Sequence, residues 1–267
     1  MSYLLYLHQL LVKVKLFFYL SGGKSMLHTE EIEYQLGNTT YRAFVAHDKT
    51  NLIPKPCIMI APDWSGRRDT FCKKAEQLAA KGYVGFTVDM YGNAKIGHTN
   101  EEKMALLHPI MATREQVAAR MLAAYDAAIT LPYVDNARIA AMGYCFGGLC
   151  VLDLARAGAD VKGVISFHGI LSAPEPNLCQ KIRAKILVLH GYDDPMVPPT
   201  QVNQFANEMT EKKADWQIHM YGHTQHAFTN PEANDNQLGL HYDKKADKRS
   251  WMSAKLFLNE ILKINAC

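Results

Sequence analysis

The chain has 267 residues, 48% of them hydrophobic, and carries 29 Lys and Arg against 26 Asp and Glu. That length and apolar fraction suit one large α/β domain with a substantial core. A formal charge of +3, with no dense Lys/Arg stripe, excludes nucleic acid as the expected partner; Arg67-Arg68 and Lys244-Lys245 read as short solvated pairs. The six cysteines, at 57, 72, 145, 150, 179 and 267, have neither metal nor redox spacing.

The first 25 residues stand apart from the rest. Tyr3 to Leu20 is rich in Leu, Tyr and Phe, but Lys13 and Lys15 sit inside it, which is costly for a membrane span. Positive charge does not precede the apolar run, as a secretory signal requires. Three readings stay open: an amphipathic extension packed on a surface, a membrane-surface segment, or an extension upstream of the natural start, with Met26 as that start. No stable membrane span is expected, and residues 26–267 are expected to form a single domain.

Glu31–Leu36 and Thr40–Ala46 alternate in polarity around Gly37-Asn38 and predict a hairpin. Cys57–Ala61 is a short apolar run, expected as a strand buried on both faces. Asp69–Lys81 predicts a helix stopped by Gly82, and Val84–Asp89 the next strand. Gly92–Pro109 reads as irregular and then partly helical, a candidate flap. Thr113–Leu131 predicts an amphipathic helix. Ile139–Tyr144 predicts a strand, Phe146–Arg156 a helix, and Val161–Phe167 a strand followed by a Pro-containing loop, Gly169–Asn177. Lys185–Gly191 and Trp216–Tyr221 predict the last two strands, with a helix over Gln201–Glu211 between them. Asp243–Ile264 closes the chain as a long helix. There is no internal repeat, low-complexity tract or linker.

The most informative run is Gly143-Tyr144-Cys145-Phe146-Gly147-Gly148. A strand leads straight into it and a helix follows. Glycines two before and two after a nucleophile relieve the crowding of a sharp strand-to-helix turn. Such a turn exposes its side chain at the sheet edge and sets it at a helix N-terminus, where backbone N–H groups favour a thiolate. The same run also reads as a buried cysteine in a tight βα turn. Two later strands end in chemistry-bearing loops. Asp193-Asp194-Pro195-Met196-Val197-Pro198 follows the first, and His223-Thr224-Gln225-His226-Ala227-Phe228 the second. Cys, Asp and His, each just after a strand and in that chain order, match the nucleophile–acid–histidine order of α/β-hydrolases. Strands of one parallel sheet bring such residues to one edge. Between Asp193 and Asp194, and between His223 and His226, the pattern leaves the choice open.

The runs Ala61-Pro62-Asp63-Trp64-Ser65-Gly66, Val88-Asp89-Met90-Tyr91-Gly92, Gly143 to Gly148, Gly191 to Pro198 and His226-Ala227-Phe228 together resemble the dienelactone hydrolase (carboxymethylenebutenolidase) family. The resemblance covers about residues 30 to 264. It implies an α/β-hydrolase fold, a mostly parallel central sheet of about eight strands flanked by helices on both faces. It implies hydrolysis of small carboxylic esters or lactones by a monomer; nothing in the sequence suggests a metal or organic cofactor, and a thiolate nucleophile fits the reducing cytoplasm. A thioesterase with the same machinery and a non-catalytic ligand-binding member are the competing readings.

By resemblance, Cys145 is the nucleophile, His226 the base and Asp194 the acid, since Asp194 directly precedes the Pro-Met-Val-Pro run. The oxyanion hole is expected from the backbone N–H groups of Phe146 and Trp64. Asp63 stands where the family carries a Glu that contacts the resting cysteine. Tyr91, Phe228, Trp64 and His168 are candidate pocket residues. Asn93 and Asn230 occupy the positions of two arginines thought to grip a substrate carboxylate, and asparagine brings no positive charge. Arg67 or Arg68 is a possible substitute, though both read as exposed surface charges.

Overall fold

In the computed structural model, residues 26–50, 52–174 and 181–263 are described. The expectations for residues 1–25, for the end of the Pro-containing loop, and for Cys179 and Cys267 lie outside them. The sequence alternation at the start becomes a hairpin of β1 (Leu27–Leu36) and β2 (Thr39–Asp48). Leu36 pairs with Thr39 across a two-residue turn in which Gly37 adopts φ +58°, a conformation open to glycine without Cβ strain.

The remaining large strands are β3 (Lys55–Ala61), β4 (Val84–Thr87), β5 (Val134–Tyr144), β6 (Gly163–Phe167), β7 (Lys185–Gly191) and β8 (Trp216–Tyr221). They join the hairpin in one eight-stranded sheet of order β1-β2-β4-β3-β5-β6-β7-β8. The two hairpin strands are antiparallel additions; every pairing from β4 to β8 is parallel. The parallel strands therefore end along one edge of the sheet.

Parallel strands are buried on both faces, and side chains alternate between two cores. Along β3, Cys57, Met59 and Ala61 point into one core and Ile58 and Ile60 into the other. The first core is covered by α3 (Arg114–Ile129), α4 (Phe146–Arg156) and α5 (Pro199–Glu211). The second lies under α1 (Asp69–Ala79) and α6 (Lys244–Leu262). In α3 the buried residues Val117, Met121, Ala124 and Ala128 recur every three or four positions, the period of one helix face. Asp243 caps α6 by accepting from Lys245 and Ala246 N–H at 2.8 Å each. No helix among the described residues is long and apolar enough to cross a membrane.

Several boundaries differ from the sequence reading. β5 begins at Val134 rather than Ile139, because Val134 pairs with Lys55 before a register irregularity; its polar start carries no apolar signal. β4 ends at Thr87, where the chain turns to let the buried carboxylate of Asp89 collect four backbone N–H groups. Tyr91 and Gly92 donate to one oxygen at 3.0 and 2.9 Å, Arg42 and Ala94 to the other at 3.1 and 2.8 Å. The segment after it is helical through its proline, as α2 (Asn100–Met111), with a capping box between Thr99 and Glu102. A short pair, β9 (Asn234–Asp235) and β10 (Leu240–His241), has too few residues for any periodicity.

Beneath α4 lies a buried ionic cluster. The Arg114 guanidinium holds both oxygens of Asp153 at 2.6 Å, and Arg156 bridges Asp153 at 3.2 Å and Glu208 at 2.6 Å. Arg156 also donates to Leu171 O at 3.1 Å, so the cluster ties α3, α4 and α5 to the loop that follows β6.

Candidate active site

Cys145 sits between β5 and α4 with φ 54° and ψ −115°, a region that costs a non-glycine residue roughly 1–3 kcal/mol. The turn is held by its neighbours. Cys145 N–H is shared between Phe167 O at 3.0 Å and His168 Nδ1 at 3.2 Å. Contact, not positive φ, accounts for the flanking glycines. A Cβ on Gly143 would stand 1.9 Å from Gly147 O, and one on Gly147 would stand 2.1 Å from Ala61 O. The strand, the helix and the β3 loop meet backbone to backbone, and no side chain fits between them.

Trp64 follows β3 on that same edge. Among the described residues, neither Trp64 N–H nor Phe146 N–H donates to another protein group. The Trp64 carbonyl accepts the Tyr91 hydroxyl at 2.6 Å, and the Tyr91 ring stacks on Phe146 with centroids 6.4 Å apart. Asp89 fixes the turn that carries Tyr91. A chain of contacts from Asp89 through Tyr91 thus sets the loop expected to hold an oxyanion.

His226 lies in the loop after β8, and Asp194 in the loop after β7. His226 Nδ1 is 2.7 Å from Asp194 Oδ2, and both side chains are wholly buried. Asp194 Oδ1 accepts Met196 N–H at 2.8 Å, which fixes the carboxylate plane. The His226 backbone is pinned by Gly239 O at 3.1 Å and His241 N at 3.0 Å, so β10 braces the loop. His226 Nε2 is buried and has no hydrogen-bond partner among the described residues. Burial opposes protonation of this imidazole. The charge interaction with the adjacent Cys145, together with the Asp194 carboxylate that accepts the Nδ1 hydrogen bond, outweighs it and pushes the pKa up to about 10. Asp193 is instead exposed, 3.8 Å from the solvated His223.

His168, after β6, is expected from sequence only as a pocket residue, and it does line the cavity that holds Cys145. It is buried at φ 40°, 5.2 Å from the His226 ring between centroids, and its Nε2 lies 2.8 Å from Thr229 Oγ1. Because Nδ1 accepts from Cys145 N–H, Nε2 carries the proton and donates to Thr229. Burial, followed by the nearby His226 charge, holds its pKa well below the usual range, so the ring is neutral. Its place directly after the strand next to the elbow was the available signal.

Four other expectations are corrected. Phe228 is fully buried against His168 and Tyr221, a core residue and not a pocket wall. Tyr91 acts through the Trp64 carbonyl and lines neither cavity beside Cys145. Asn93 is exposed, with its N–H on Thr40 O at 2.8 Å, and also lies outside both cavities. Arg67 is not a surface charge: its side chain is 8% exposed and pairs with Glu31. Asp63 lines the cavity that holds Cys145, but its carboxylate accepts the Ser65 N–H at 2.8 Å and the Ser65 hydroxyl. Being one methylene shorter than Glu, it is taken up by its own loop. Asn230 does line that cavity, with its side-chain oxygen accepting Glu232 N–H at 3.1 Å. Arg68 lines it too, 3.6 Å from Glu232 and 4.0 Å from Asp63.

The family model described as "Dienelactone hydrolase family" matches residues 41–262. An uncharacterized protein of Caenorhabditis elegans is 39% identical over 144 residues, 53% of this chain and 91% of its own length. A dienelactone hydrolase-like promiscuous phosphotriesterase from metagenomic libraries, known as a crystal structure, is 30% identical. It superposes with a TM-score of 0.83 over 88% of this chain and 98% of its own. The structure named m3DLH is likewise 30% identical, with a TM-score of 0.83 over 88% of this chain and 99% of its own.

Proposed function

Since the chain belongs to the dienelactone hydrolase family and has an α/β-hydrolase fold, we propose that it hydrolyses small carboxylic esters or lactones through Cys145, His226 and Asp194. The observation that carries this reading is the wholly buried His226–Asp194 pair, whose Nε2 has no hydrogen-bond partner among the described residues, set beside a cysteine held in a strained elbow.

In this reaction the Cys145 sulfur, its proton passed to His226, attacks the ester carbonyl carbon, and the carbonyl π pair moves onto oxygen. The oxyanion accepts the N–H groups of Phe146 and Trp64, which have no other acceptor among the described residues. The carbonyl re-forms as the bond to the leaving oxygen breaks, and His226 Nε2 delivers its proton to that oxygen. The product is a thioester on Cys145 and a free alcohol. Water then attacks the thioester with His226 as base, releasing the acid and restoring the thiol. Asp194 keeps the ring in the Nδ1–H tautomer and balances the imidazolium. Cys57, Cys72, Cys145 and Cys150 are all free, and a thiol nucleophile suits a reducing compartment such as the cytoplasm.

The site favours a neutral ester over an anionic lactone. Asn230 brings no charge, Arg68 faces two carboxylates, and with Lys73, Lys74 and Lys103 of the same cavity it is balanced by Asp63, Glu232, Asp235 and Asp247, so no net positive charge is left for a substrate carboxylate. The test compares an activated aryl ester with a dienelactone, using wild type and Cys145→Ala. Cys145-dependent hydrolysis of the aryl ester is expected, with the dienelactone slower. Activity retained by Cys145→Ala would remove the cysteine from the mechanism.

A further inference from the structure

Cys145 stands between two cavities of opposite character. One, of about 540 Å³, is lined by His226, Ser65, Arg68, Lys103, Asn230 and Glu232 among others. The second, of about 280 Å³, is walled by Met104, Leu107 and Met111 of α2, with Leu149, Met196 and Leu238 opposite. Trp64, Cys145 and Leu240 line both, whereas His226 lines only the polar one. Met104, Met111, Met196 and Leu238 are each more than a third exposed. Such a gathering of exposed large apolar side chains marks a surface that expects an apolar occupant.

The chemistry of acyl transfer decides which part of a substrate enters each cavity. The attacked carbon carries four groups: sulfur, the oxyanion, the leaving oxygen and the acyl chain. The oxyanion turns to Phe146 and Trp64. The leaving oxygen must face His226, which protonates it, and so it exits through the polar cavity. The acyl chain has only the remaining direction. Resting on the ester hydrolase reading of this site, we infer that the methionine-rich cavity binds an apolar acyl chain and the polar cavity an uncharged polar alcohol. The alcohol is uncharged because the lysines and arginine of the polar cavity are matched in number by its aspartates and glutamate. Flexible, polarizable methionines let one cavity accept chains of several lengths.

Two measurements test this. Across 4-nitrophenyl acetate, butyrate and hexanoate, kcat/KM should rise about fourfold per methylene buried. The hexanoate-to-acetate ratio should fall at least tenfold in Met104→Asp and Leu238→Asp, two partly exposed sites that tolerate a charge without unfolding. Of two esters with reversed polarity, glyceryl octanoate should be cleaved in preference to octyl acetate. A flat or falling chain-length profile, or preference for octyl acetate, with Cys145-dependent turnover intact, would overturn this inference alone. Absence of Cys145-dependent hydrolysis with every ester would overturn the function reading and this inference with it.

A separate cluster on the β1–β2 hairpin carries a second inference. His28 and His47 are directly opposite in the antiparallel register, and Glu30 lies two residues along on the same face. Their ligating atoms all fall within 4.8 Å of one another; Glu30 Oε1 is 3.7 Å from His28 Nε2 and 3.5 Å from His47 Nε2. Ligand atoms around a tetrahedral zinc stand about 3.4 Å apart. His47 is 4% exposed, and its Nε2 is buried without a hydrogen bond among the described residues, a cost that a bound cation would remove. Its ring stacks on Tyr133 at 3.8 Å, and the Tyr133 hydroxyl donates to Glu30 Oε1 at 2.9 Å, an outer contact of the sort that orients metal ligands. We propose that His28, Glu30 and His47 bind a divalent cation of the zinc or copper class, with imidazole and carboxylate ligands and an open position.

The probe is ZnCl₂ titrated into the full chain by calorimetry, with Co²⁺ as an optical reporter. One zinc per chain and a rise in Tm are expected, with affinity at least tenfold weaker in His28→Gln and in Glu30→Gln. The cobalt spectrum should lack a thiolate charge-transfer band, a readout that needs no variant. Unchanged affinity in the variants, a thiolate band, or no zinc bound at millimolar concentration would each overturn the site.

Discussion

Asp194→Asn replaces one oxygen of a buried carboxylate by an amide nitrogen and keeps the shape. Both oxygens are in use, Oδ1 on Met196 N–H at 2.8 Å and Oδ2 on His226 Nδ1 at 2.7 Å. An amide has a single acceptor oxygen. If that oxygen stays with Met196, the NH₂ group faces Nδ1 and donates to it. The ring proton then sits on Nε2, where it blocks acceptance of the Cys145 proton. If the oxygen turns to His226 instead, the NH₂ group opposes Met196 N–H in a buried place, at a cost of about 1–3 kcal/mol. The first orientation keeps every hydrogen bond and prevails. A wrong-tautomer histidine in a triad lowers kcat by about 10⁴, or about 5 kcal/mol of transition-state stabilisation. Asp193 is close to half exposed, and the imidazole 3.8 Å from it, His223, is fully solvated, so Asp193→Asn should cost less than about threefold. The assay is kcat/KM on an activated aryl ester at pH 7 for both variants, with thermal unfolding as the check on folding. Asp194→Asn within tenfold of wild type, or a larger loss in Asp193→Asn, would refute the assignment.

Cys145→Gly should abolish turnover yet stabilise the fold by roughly 1 kcal/mol, because relief of the φ 54° strain exceeds the added chain entropy of glycine. Urea denaturation measures it, and a loss of stability would contradict the strain. The His226 imidazole should titrate near 10 in wild type by NMR and clearly lower in Cys145→Ala, where burial persists and the negative charge is gone. Because the folded pKa is raised, the stability His226 contributes is present in full below its unfolded pKa near 6.5 and is lost as pH rises through about 10. Asp153→Ala leaves Arg114 without its carboxylate and Arg156 with Glu208 as its remaining counter-charge, and should cost about 3 kcal/mol in urea denaturation. A loss under 1 kcal/mol would show that the cluster is solvated.

Much of this molecule is legible along the chain. Runs such as Lys185–Gly191 and Trp216–Tyr221 announce strands because burial on two faces, or on alternate faces, writes a short local pattern. The elbow is equally local: Gly143, Cys145 and Gly147 lie within one turn, and their spacing is dictated by a backbone approach that admits no Cβ. Cys145, Asp194 and His226 were nameable because each closes a strand of a parallel sheet, and such strands end at one edge.

What tertiary structure alone decided depends on contacts between segments remote in sequence. Asp89 gathers N–H groups from β2 and from its own turn, and Tyr91 meets Trp64 across 27 positions, neither of which leaves a periodic trace. Phe228 and Arg67 look like pocket and surface residues by position, yet packing buries one against His168 and pairs the other with Glu31. Both cavities are lined in part by α2 and by the β9–β10 segment, which lie more than 120 residues apart in the chain. A strand's pattern records which of its faces is buried; it does not record which distant side chain does the burying. That is why the catalytic candidates, with Asp63, Trp64, His168 and Asn230 of the polar cavity, are legible in the sequence, whereas the methionine wall of the apolar cavity is not.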